Sequence, residues 1–429
     1  MSMNGLKQRI KPDALKVDHT PNGHIIEPKS PHPAGPPKHN STVQYLRLIA
    51  FVLLFAATLI AIHFAQLILA LLYFVDKDYF YAGQAVSKQS FGIVMVVFTQ
   101  WFCPTKIRIS GDESVRGQLR KTDDGRLECD FPHRLVLIAN HQIYTEWTYL
   151  WWIAYTSGMH GHFYIILKES LKWIPILGPA MQLFRFIFLA RNWEKDRPRF
   201  QHRFDQLNTR HGGPMSGPEG LDPMWLLIFP EGTNLSSNSR EASQKWAEKS
   251  GVPDMKHCLL PRATGLQFCL SQLTGTLDYV YDITIAYEGI PNGEFGQDLF
   301  GLWSSYLEGR PPKSVNLHFR RFAVKDIPVN DMDKFNAWLR ECWTQKDELL
   351  DYYQNNGRFP ADEGVDAFDP STSPKRVAVG VGHIETAVQP THILEILQVF
   401  VPTATFLLMG NIMWKMKNML LYGNLAGKQ

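Results

Sequence analysis

An uncharged apolar run from Leu48 to Val75 restricts the fold of this 429-residue chain more than any other feature. As a helix the run would be about 42 Å long, whereas the hydrocarbon core of a bilayer is roughly 30 Å thick. A helix buried in a soluble domain is rarely so long or apolar on every side. The run therefore predicts a membrane helix. The proline-rich residues 1–42 before it have few apolar side chains and predict a disordered tail.

A second apolar segment, residues 91–103, is too short to cross a bilayer comfortably. We expect it to be interfacial or re-entrant and to close a membrane hairpin over residues 43–104. Basic residues flank the two apolar segments on their outer sides: Lys29, Lys38, Arg47, Lys106, Arg108, Arg116, Arg120 and Lys121. By the positive-inside tendency, both flanks and the domain that follows face the cytoplasm.

The next 250 or so residues, 105–355, predict one globular domain. Strand-like apolar runs occur at 134–140, 163–168, 186–190, 225–230, 280–288 and 314–322. Helix-like stretches at 144–156, 239–250, 296–308 and 331–353 lie among them. This alternation is typical of an α/β fold with a largely parallel central sheet flanked by helices. A linker over 356–392 and a hydrophobic C-terminal helix over 393–422 should follow; that helix could span the membrane or lie on its surface.

Composition and motif searches argue against several classes of function. A net charge of +3 argues against a polycationic protein that binds nucleic acid. The five cysteines include no C-x-x-C pair, which argues against a disulfide framework and a cysteine zinc site. The chain also has no G-x-S-x-G elbow, Walker A loop or H-E-x-x-H motif. We therefore expect neither a metal nor a bound cofactor.

The strand at 134–140 ends in Asn140 and His141, and a carboxylate, Glu146, follows five residues later. The C-terminal edge of a parallel sheet is the usual place for an active site. On one continuous helix this spacing would hold the two side chains apart. They can meet if His141 lies in the turn and Glu146 in the first turn of the helix. The carboxylate would then fix one tautomer of the imidazole and leave its other nitrogen to act as a base.

Two further groups of residues are expected at the same edge. Glu231, Gly232 and Thr233 follow the strand at 225–230, where a tight turn could also hold an oxygen-rich ligand. Arg191 directly follows the strand at 186–190, and Arg262 precedes a probable helix. A guanidinium at either position would suit a phosphate. A structural turn and a solvated basic face are the alternatives for these residues.

With these residues assembled, the chain resembles the acyl-CoA-dependent lysophospholipid acyltransferases, the 1-acylglycerol-3-phosphate acyltransferase family. Four blocks carry the resemblance in the family's order: NHQIYTEW (140–147), FIFLARNW (186–193), FPEGTN (229–234) and YDITIAYEGIP (281–291). The segments KESLKWIPILGPAMQ and LLPRATGLQFCL are most similar to the branch that acts on lysophosphatidylinositol and lysocardiolipin. Glu146 stands where the family usually has Asp, and Asn234 where many phosphatidate-forming members have Arg.

The resemblance implies an integral membrane enzyme, typically of the endoplasmic reticulum, that takes acyl-CoA as co-substrate and a lysophospholipid as acceptor. His141 would be the general base, supported by Glu146. Arg191 and Arg262 would hold the acceptor's phosphate, and Glu231 and Gly232 would also belong to acceptor binding. Membrane lipids are the other expected partners, and no nucleic acid is. The acceptor is expected to be lysophosphatidylinositol or another lysophospholipid. Lysophosphatidate as acceptor, hydrolysis of the thioester by water, and a catalytically inactive membrane protein remain alternatives.

Overall fold

The computed structural model describes residues 31–190, 192–217, 219–363 and 383–426. Most of the predicted tail and much of the predicted linker lie outside these residues. The long apolar run forms helix α1, Ser41–Ala70, which continues as a 3-10 turn over Leu71–Phe74. Helix α2, Lys77–Phe102, folds back on α1. The two helices therefore make the hairpin that the sequence predicts.

The second arm of the hairpin differs from the expectation. Residues 91–103 are not a separate re-entrant segment, because 91–102 continue α2 without interruption. Nearly all of these side chains are buried against α1 and the globular domain. The apolar residues of this segment are therefore core residues. The segment is apolar because it packs inside the protein rather than against lipid.

The described part of the chain contains ten β-strands, which form two sheets. The strands are β1 Lys106–Gly111, β2 Leu119–Lys121, β3 Leu127–Cys129, β4 Arg134–Ala139, β5 Phe163–Lys168, β6 Ile187–Leu189, β7 Met224–Ile228, β8 Tyr279–Tyr287, β9 Ser314–Ala323 and β10 Ile384–Ala387. Eight of them form one sheet in the order β10-β1-β9-β8-β4-β7-β5-β6, and β2 pairs with β3 separately. Strands β4 to β8 run parallel to one another. The six predicted strands are confirmed to within two residues at each end.

Helices cover both faces of the sheet. After the hairpin they are α3 Glu146–Thr156, α4 Leu177–Leu183, α5 Trp193–Leu207, α6 Ser237–Ser250, α7 Ala263–Leu273, α8 Gly296–Leu299, α9 Met332–Asn356 and α10 Val401–Ala426. The hairpin and α3 cover one face, whereas α5, α7 and α9 cover the other. Along β4 the side chains alternate between these layers: Leu135 and Leu137 pack on the first, Val136 and Ile138 on the second. The predicted α/β fold with a largely parallel sheet is thus confirmed.

Two predicted boundaries need correction. Residues 384–387, which the sequence places in a linker, form β10, an antiparallel edge strand paired with β1. The helix predicted over 296–308 is instead the single turn α8 followed by a π-type turn at Trp303–Leu307. In both places the local sequence is short and weakly periodic, so that contacts with the rest of the domain decide the conformation.

Two helical stretches, Ser41–Phe74 and Ile393–Met419, are long and apolar enough to cross a membrane, judged by length and composition alone. Both leave most of their apolar side chains uncovered by the protein. On α1 these include Leu46, Ile49, Val52, Leu53, Ile60 and Leu67. A contiguous exposed apolar surface of this kind is typical of a membrane contact.

Candidate active site

The sequence-predicted pair of His141 and Glu146 meets at the carboxyl edge of the sheet. His141 lies in the turn after β4, and Glu146 is the first residue of α3. The distance from His141 Nδ1 to Glu146 Oε2 is 2.6 Å. An ionised carboxylate can only accept a hydrogen bond, so this contact selects the imidazole tautomer with the proton on Nδ1, in which Nε2 is an acceptor. The structure therefore brings the two residues together in the arrangement that the spacing predicts.

Glu146 is fully buried and every contact of its carboxylate is a donor. Its Oε1 accepts hydrogen bonds from the backbone N–H groups of Gln142 at 2.7 Å and Ile143 at 3.2 Å. The hydroxyl of Tyr287 donates to the same oxygen at 3.0 Å. Burial raises the pKa of the Tyr287 hydroxyl well above its usual range, as does the nearby charge of Glu146, so this group remains a donor. Because the carboxylate also lies at the start of α3, the helix dipole favours its negative charge.

The ring of His141 is held on a second side by Phe229, the residue after β7. The two rings are stacked, with their centroids 4.2 Å apart and their planes inclined by 20°. The backbone carbonyl of His141 accepts from the N–H of Leu235 at 2.6 Å. Among the described residues, Nε2 of His141 has no hydrogen-bond partner, and the side chain keeps 18% of its exposure. This nitrogen is thus presented to the open edge of the sheet.

The neighbouring Asn140 fixes the turn to strand β8. Its side-chain amide donates to the carbonyl of Ile285 at 2.9 Å and accepts from the N–H of the same residue at 2.8 Å. These two hydrogen bonds continue the link between β4 and β8 at the point where the backbone pairing of β4 ends. Sequence reasoning did not assign roles to Asn140, Phe229 or Tyr287, although each lies within one of the four motif blocks. Their separation along the chain hides the contacts, since the partners of the first two are more than 80 residues away.

The turn after β7 is built around Gly232, which has a φ of 74°. This left-handed conformation suits glycine and disfavours residues with a Cβ. Arg262 follows the same edge: its N–H donates to the carbonyl of Pro230 at 2.8 Å, and its side chain passes close to Gly232. Arg262 is exposed and forms no ion pair within the described chain, so its charge is available to a ligand. Thr233 is half-buried in the turn, and its hydroxyl bonds to no described residue.

Glu231, which is expected to take part in acceptor binding, is buried in the structure. The side chain is only 3% exposed, and its Oε1 accepts from the indole N–H of Trp343 on α9 at 3.2 Å. Burial raises the pKa of the Glu231 carboxyl to about 8, and the charge of Glu146 acts in the same direction. This carboxyl thus faces the protein interior in its neutral form at pH 7. Its Oε1 holds the turn against α9, whereas its buried Oε2 has no hydrogen-bond partner in the described chain.

Two further features bear on ligand binding. Arg191, the other predicted phosphate ligand, lies outside the described residues. Beside His141 the structure contains a cavity of about 340 Å³, lined by Gln142, Leu235, Tyr287 and Glu294 among others. One carboxylate oxygen of Glu294 is buried without a hydrogen-bond partner in the described chain. Glu294 thus combines a place in the cavity lining with a buried carboxylate oxygen that no described group contacts.

The part of the chain that the structure describes contains no cluster of side chains suited to bind a metal ion. No group of three or more His, Cys, Asp or Glu side chains there is arranged to hold an ion. All five cysteines are buried and unpaired. Burial raises the pKa of Cys103 to about 11 and that of Cys129 to about 12, so these thiols stay protonated. They are structural residues rather than nucleophiles.

The chain is similar in sequence to known acyltransferases. The acyltransferase family profile matches residues 106–288, and the profile described as the acyltransferase C-terminus matches residues 305–380. A protein of Schizosaccharomyces pombe described as an uncharacterized acyltransferase is 36% identical over 85% of this chain and 96% of its own length. The 2-acyl-1-lysophosphatidylinositol acyltransferase of Saccharomyces cerevisiae is 37% identical over 73% of this chain and 85% of its own.

Relatives that match a smaller part of the chain are named for other acceptors. The lysocardiolipin acyltransferase 1 of Gallus gallus is 32% identical over 57% of this chain and 60% of its own. A probable 1-acyl-sn-glycerol-3-phosphate acyltransferase of Arabidopsis thaliana is 34% identical over 61% of this chain and 60% of its own. These names share one reaction type and differ in the lipid headgroup.

Proposed function

The chain belongs to the acyltransferase family, and on that basis we propose that it transfers a fatty acyl group from acyl-CoA to the free hydroxyl of a lysophospholipid. The observation that carries the proposal is the 2.6 Å contact between His141 Nδ1 and Glu146 Oε2, with Nε2 open at the sheet edge. Membership of the acyltransferase family does not depend on this proposal. The relatives in that family are named for acyl transfer to lysophospholipids and glycerolipids.

In the proposed mechanism, His141 Nε2 removes the proton from the acceptor hydroxyl. The oxygen attacks the carbonyl carbon of the thioester, and Glu146 stabilises the imidazolium that results. When the tetrahedral intermediate collapses, the C–S bond breaks and the imidazolium returns its proton to the thiolate of CoA. The acceptor itself is the nucleophile, so no covalent acyl-enzyme is required. This agrees with Glu146 being the one described side chain hydrogen-bonded to the His141 ring.

Phosphate binding is the second part of the proposal. Arg262, whose guanidinium is exposed and unpaired beside the Gly232 turn, would contact the acceptor's phosphate. Arg191 would assist from the end of β6. Gly232 and Thr233 would shape this contact through the backbone turn and a free hydroxyl. Glu231 would act indirectly, by holding the turn against Trp343.

We propose lysophosphatidylinositol as the preferred acceptor. One relative, 37% identical, bears the name of an acyltransferase for that lipid. The cavity beside His141 is lined mainly by neutral polar and apolar groups, and its two basic residues, Lys256 and His257, both pair with Asp351. Such a lining suits a polyhydroxyl headgroup that offers many hydrogen bonds and no additional charge. The buried, unpartnered oxygen of Glu294 supports this, since a headgroup hydroxyl could donate to it.

The apolar surfaces of α1 and of residues 393–419 support membrane association. We further propose that the membrane is that of the endoplasmic reticulum and that the sheet domain faces the cytoplasm. Both substrates carry long acyl chains, so a site at the membrane surface would let them enter without crossing water. Protease protection of sealed microsomes that contain the full chain tests the orientation.

The activity is tested with full-length protein in detergent, supplied with radiolabelled oleoyl-CoA and an equal concentration of one of three acceptors: lysophosphatidylinositol, lysophosphatidate or monolysocardiolipin. We expect the first to be acylated fastest, and His141→Ala to abolish transfer to all three. Full activity of His141→Ala would overturn the proposed base. A sample without acceptor measures release of free fatty acid, which should be slow because water lacks the binding energy of the lipid.

A further inference from the structure

A second group of charged side chains lies far from His141, at the amino edge of the same sheet. This basic cluster consists of Lys88 on α2, Arg185 in the turn before β6, and Arg203 on α5. Lys88 is 2% exposed and Arg185 is 8% exposed, while Arg203 is half-buried. Buried cations normally pair with a carboxylate, because desolvating an isolated charge is costly.

The positive charges of the basic cluster have no such compensation. In the described part of the chain no carboxylate forms an ion pair with any of the three side chains. Asp222 acts on Lys88 electrostatically without forming an ion pair with it. The carboxylate of Asp222 instead contacts Nε2 of His211 at 2.9 Å. Burial, together with the charge of Arg185, lowers the pKa of Arg203 to about 10.

Neutral groups occupy the places where carboxylates would be expected. Arg185 Nη2 and Arg203 Nη1 both donate to Oε1 of Gln206, at 3.3 Å and 2.7 Å. Two guanidinium groups thus share a single amide oxygen and lie side by side. Lys88 Nζ donates to the carbonyl of Phe184 at 3.4 Å and lies 3.5 Å from the centre of the Tyr164 ring. The three side chains are therefore held in place by neutral groups, and no described carboxylate pairs with them.

An independent observation shows that one donor of the cluster lacks an acceptor in the described chain. Arg185 Nε is buried and has no hydrogen-bond partner among the described residues. A buried N–H without an acceptor is uncommon in folded proteins, and a bound ligand is one of its ordinary explanations. Arg185 also adopts a φ of 62°, which shows that the fold holds its backbone in an unfavourable region at this position.

We propose that the basic cluster of Lys88, Arg185 and Arg203 binds a phosphate-class anion, at a site separate from the one around His141. Guanidinium forks match phosphate oxygens in geometry, and an ammonium adds a point charge. The anion could come from a lipid headgroup or from a soluble phosphate. The hairpin tip beside the cluster exposes apolar side chains that could reach the membrane, namely Leu71, Phe74, Val75 and Tyr79.

The test uses full-length protein in a neutral detergent and phosphate-free buffer, with thermal unfolding followed by tryptophan fluorescence. One arm adds inorganic phosphate, and the other adds phosphatidylglycerol to the micelles. We expect at least one probe to raise the melting temperature of the wild type by several degrees. The apparent affinity should fall at least tenfold in Arg185→Gln/Arg203→Gln. Without a probe, this variant should melt at or above the wild-type temperature, because the repulsion between the cations is relieved.

Matched controls separate this site from general charge effects and from the proposed active site. Arg199→Gln/Arg210→Gln removes the same charge from arginines that already pair with Glu169 and Glu219, and it should respond like the wild type. Arg262→Gln should do the same, whatever its effect on acyl transfer. If the double variant does not fold, Arg203→Gln alone is used, since its side chain is half-buried. An unchanged response in the cluster variants, or no response to either probe in the wild type, would overturn the proposal.

Discussion

The imidazole of His141 lies almost flat on the ring of Phe229, with 4.2 Å between the ring centroids. The two residues follow β4 and β7, which are adjacent parallel strands paired along their length. The stacking restricts the plane of the imidazole, and the hydrogen bond to Glu146 restricts its rotation within that plane. Together the two contacts determine the direction in which Nε2 points.

Phe229 should therefore be a positioning residue for the reaction. We expect Phe229→Leu to lower kcat about tenfold with little change in KM for acyl-CoA, because a small loss of alignment is costly for proton transfer. Phe229→Tyr, which keeps the ring, should recover most of the rate. Steady-state kinetics with both substrates varied measures the effect. Equal activity of the leucine and tyrosine variants would show that the stacking does not matter.

Glu146 should tolerate neither neutralisation nor shortening. Its carboxylate satisfies His141, Tyr287 and two backbone N–H groups at once. We expect Glu146→Gln to lower kcat roughly 10³- to 10⁴-fold, by analogy with the loss seen when the orienting carboxylate of a catalytic triad is neutralised. Glu146→Asp should also lower it, because the shorter side chain cannot reach all four donors.

The aspartate variant separates an active enzyme from an inactive relative. A protein that lost its function through the replacement of Asp by Glu should gain activity when Asp is restored. An enzyme adapted to Glu146 should lose activity instead. Tyr287→Phe serves as the matched control, since it removes one donor and keeps the carboxylate. Its expected loss is about tenfold, consistent with one hydrogen bond to a charged group.

The fold was largely predictable because its strands are buried on both faces. Continuous apolar runs such as 134–140 and 225–230 differ clearly from the polar helices near them. The meeting of His141 and Glu146 was predictable for a related reason: a strand, a turn and a helix start in direct succession leave little freedom. Contacts between residues that are close together in the chain can thus be predicted from the local sequence.

The errors share a physical cause as well. Residues 91–103 are apolar in either a membrane or a protein core, and composition does not distinguish the two. Strand β10 is short and receives its place from pairing with β1. In each case a distant contact chooses between conformations that the local sequence allows equally.

Glu231 gives the chain a specific dependence of stability on pH. Its pKa is about 8 in the folded protein, whereas an ordinary glutamate has 4.5. The folded state therefore holds a proton that the unfolded state releases between these values. The free energy of unfolding should fall as the pH rises through that interval, by on the order of 5 kcal/mol from this group, and level off above pH 8.

Glu231→Gln should remove this dependence, because the amide resembles the protonated carboxyl in shape and cannot ionise. We expect the melting temperature of the wild type, relative to that of the variant, to fall between pH 5 and pH 8.5. Glu241→Gln, an exposed position on α6, is the control and should follow the wild type. Parallel melting curves for Glu231→Gln and the wild type across this range would show that the carboxyl is ionised in the fold.

Glu294 provides the sharpest test of acceptor selectivity, because it lines the cavity next to Gln142 and one of its buried carboxylate oxygens has no partner in the described chain. If a headgroup hydroxyl of lysophosphatidylinositol donates to this oxygen, Glu294→Gln replaces a charged acceptor by a neutral one. We expect kcat/KM for that lipid to fall about tenfold, in line with one charge-assisted hydrogen bond. Lysophosphatidate has no headgroup hydroxyl to place there, so its kcat/KM should not change.

The comparison is made with one acyl-CoA at saturation and each acceptor varied in turn. Glu348→Gln, on the exposed side of α9, is the control for the loss of one negative charge from the surface. A parallel loss for both acceptors would mean that Glu294 supports the active site in general rather than the headgroup. A selective loss for lysophosphatidylinositol would place its polyol in the cavity, since the two acceptors share the glycerol hydroxyl and the phosphate and differ in what lies beyond it.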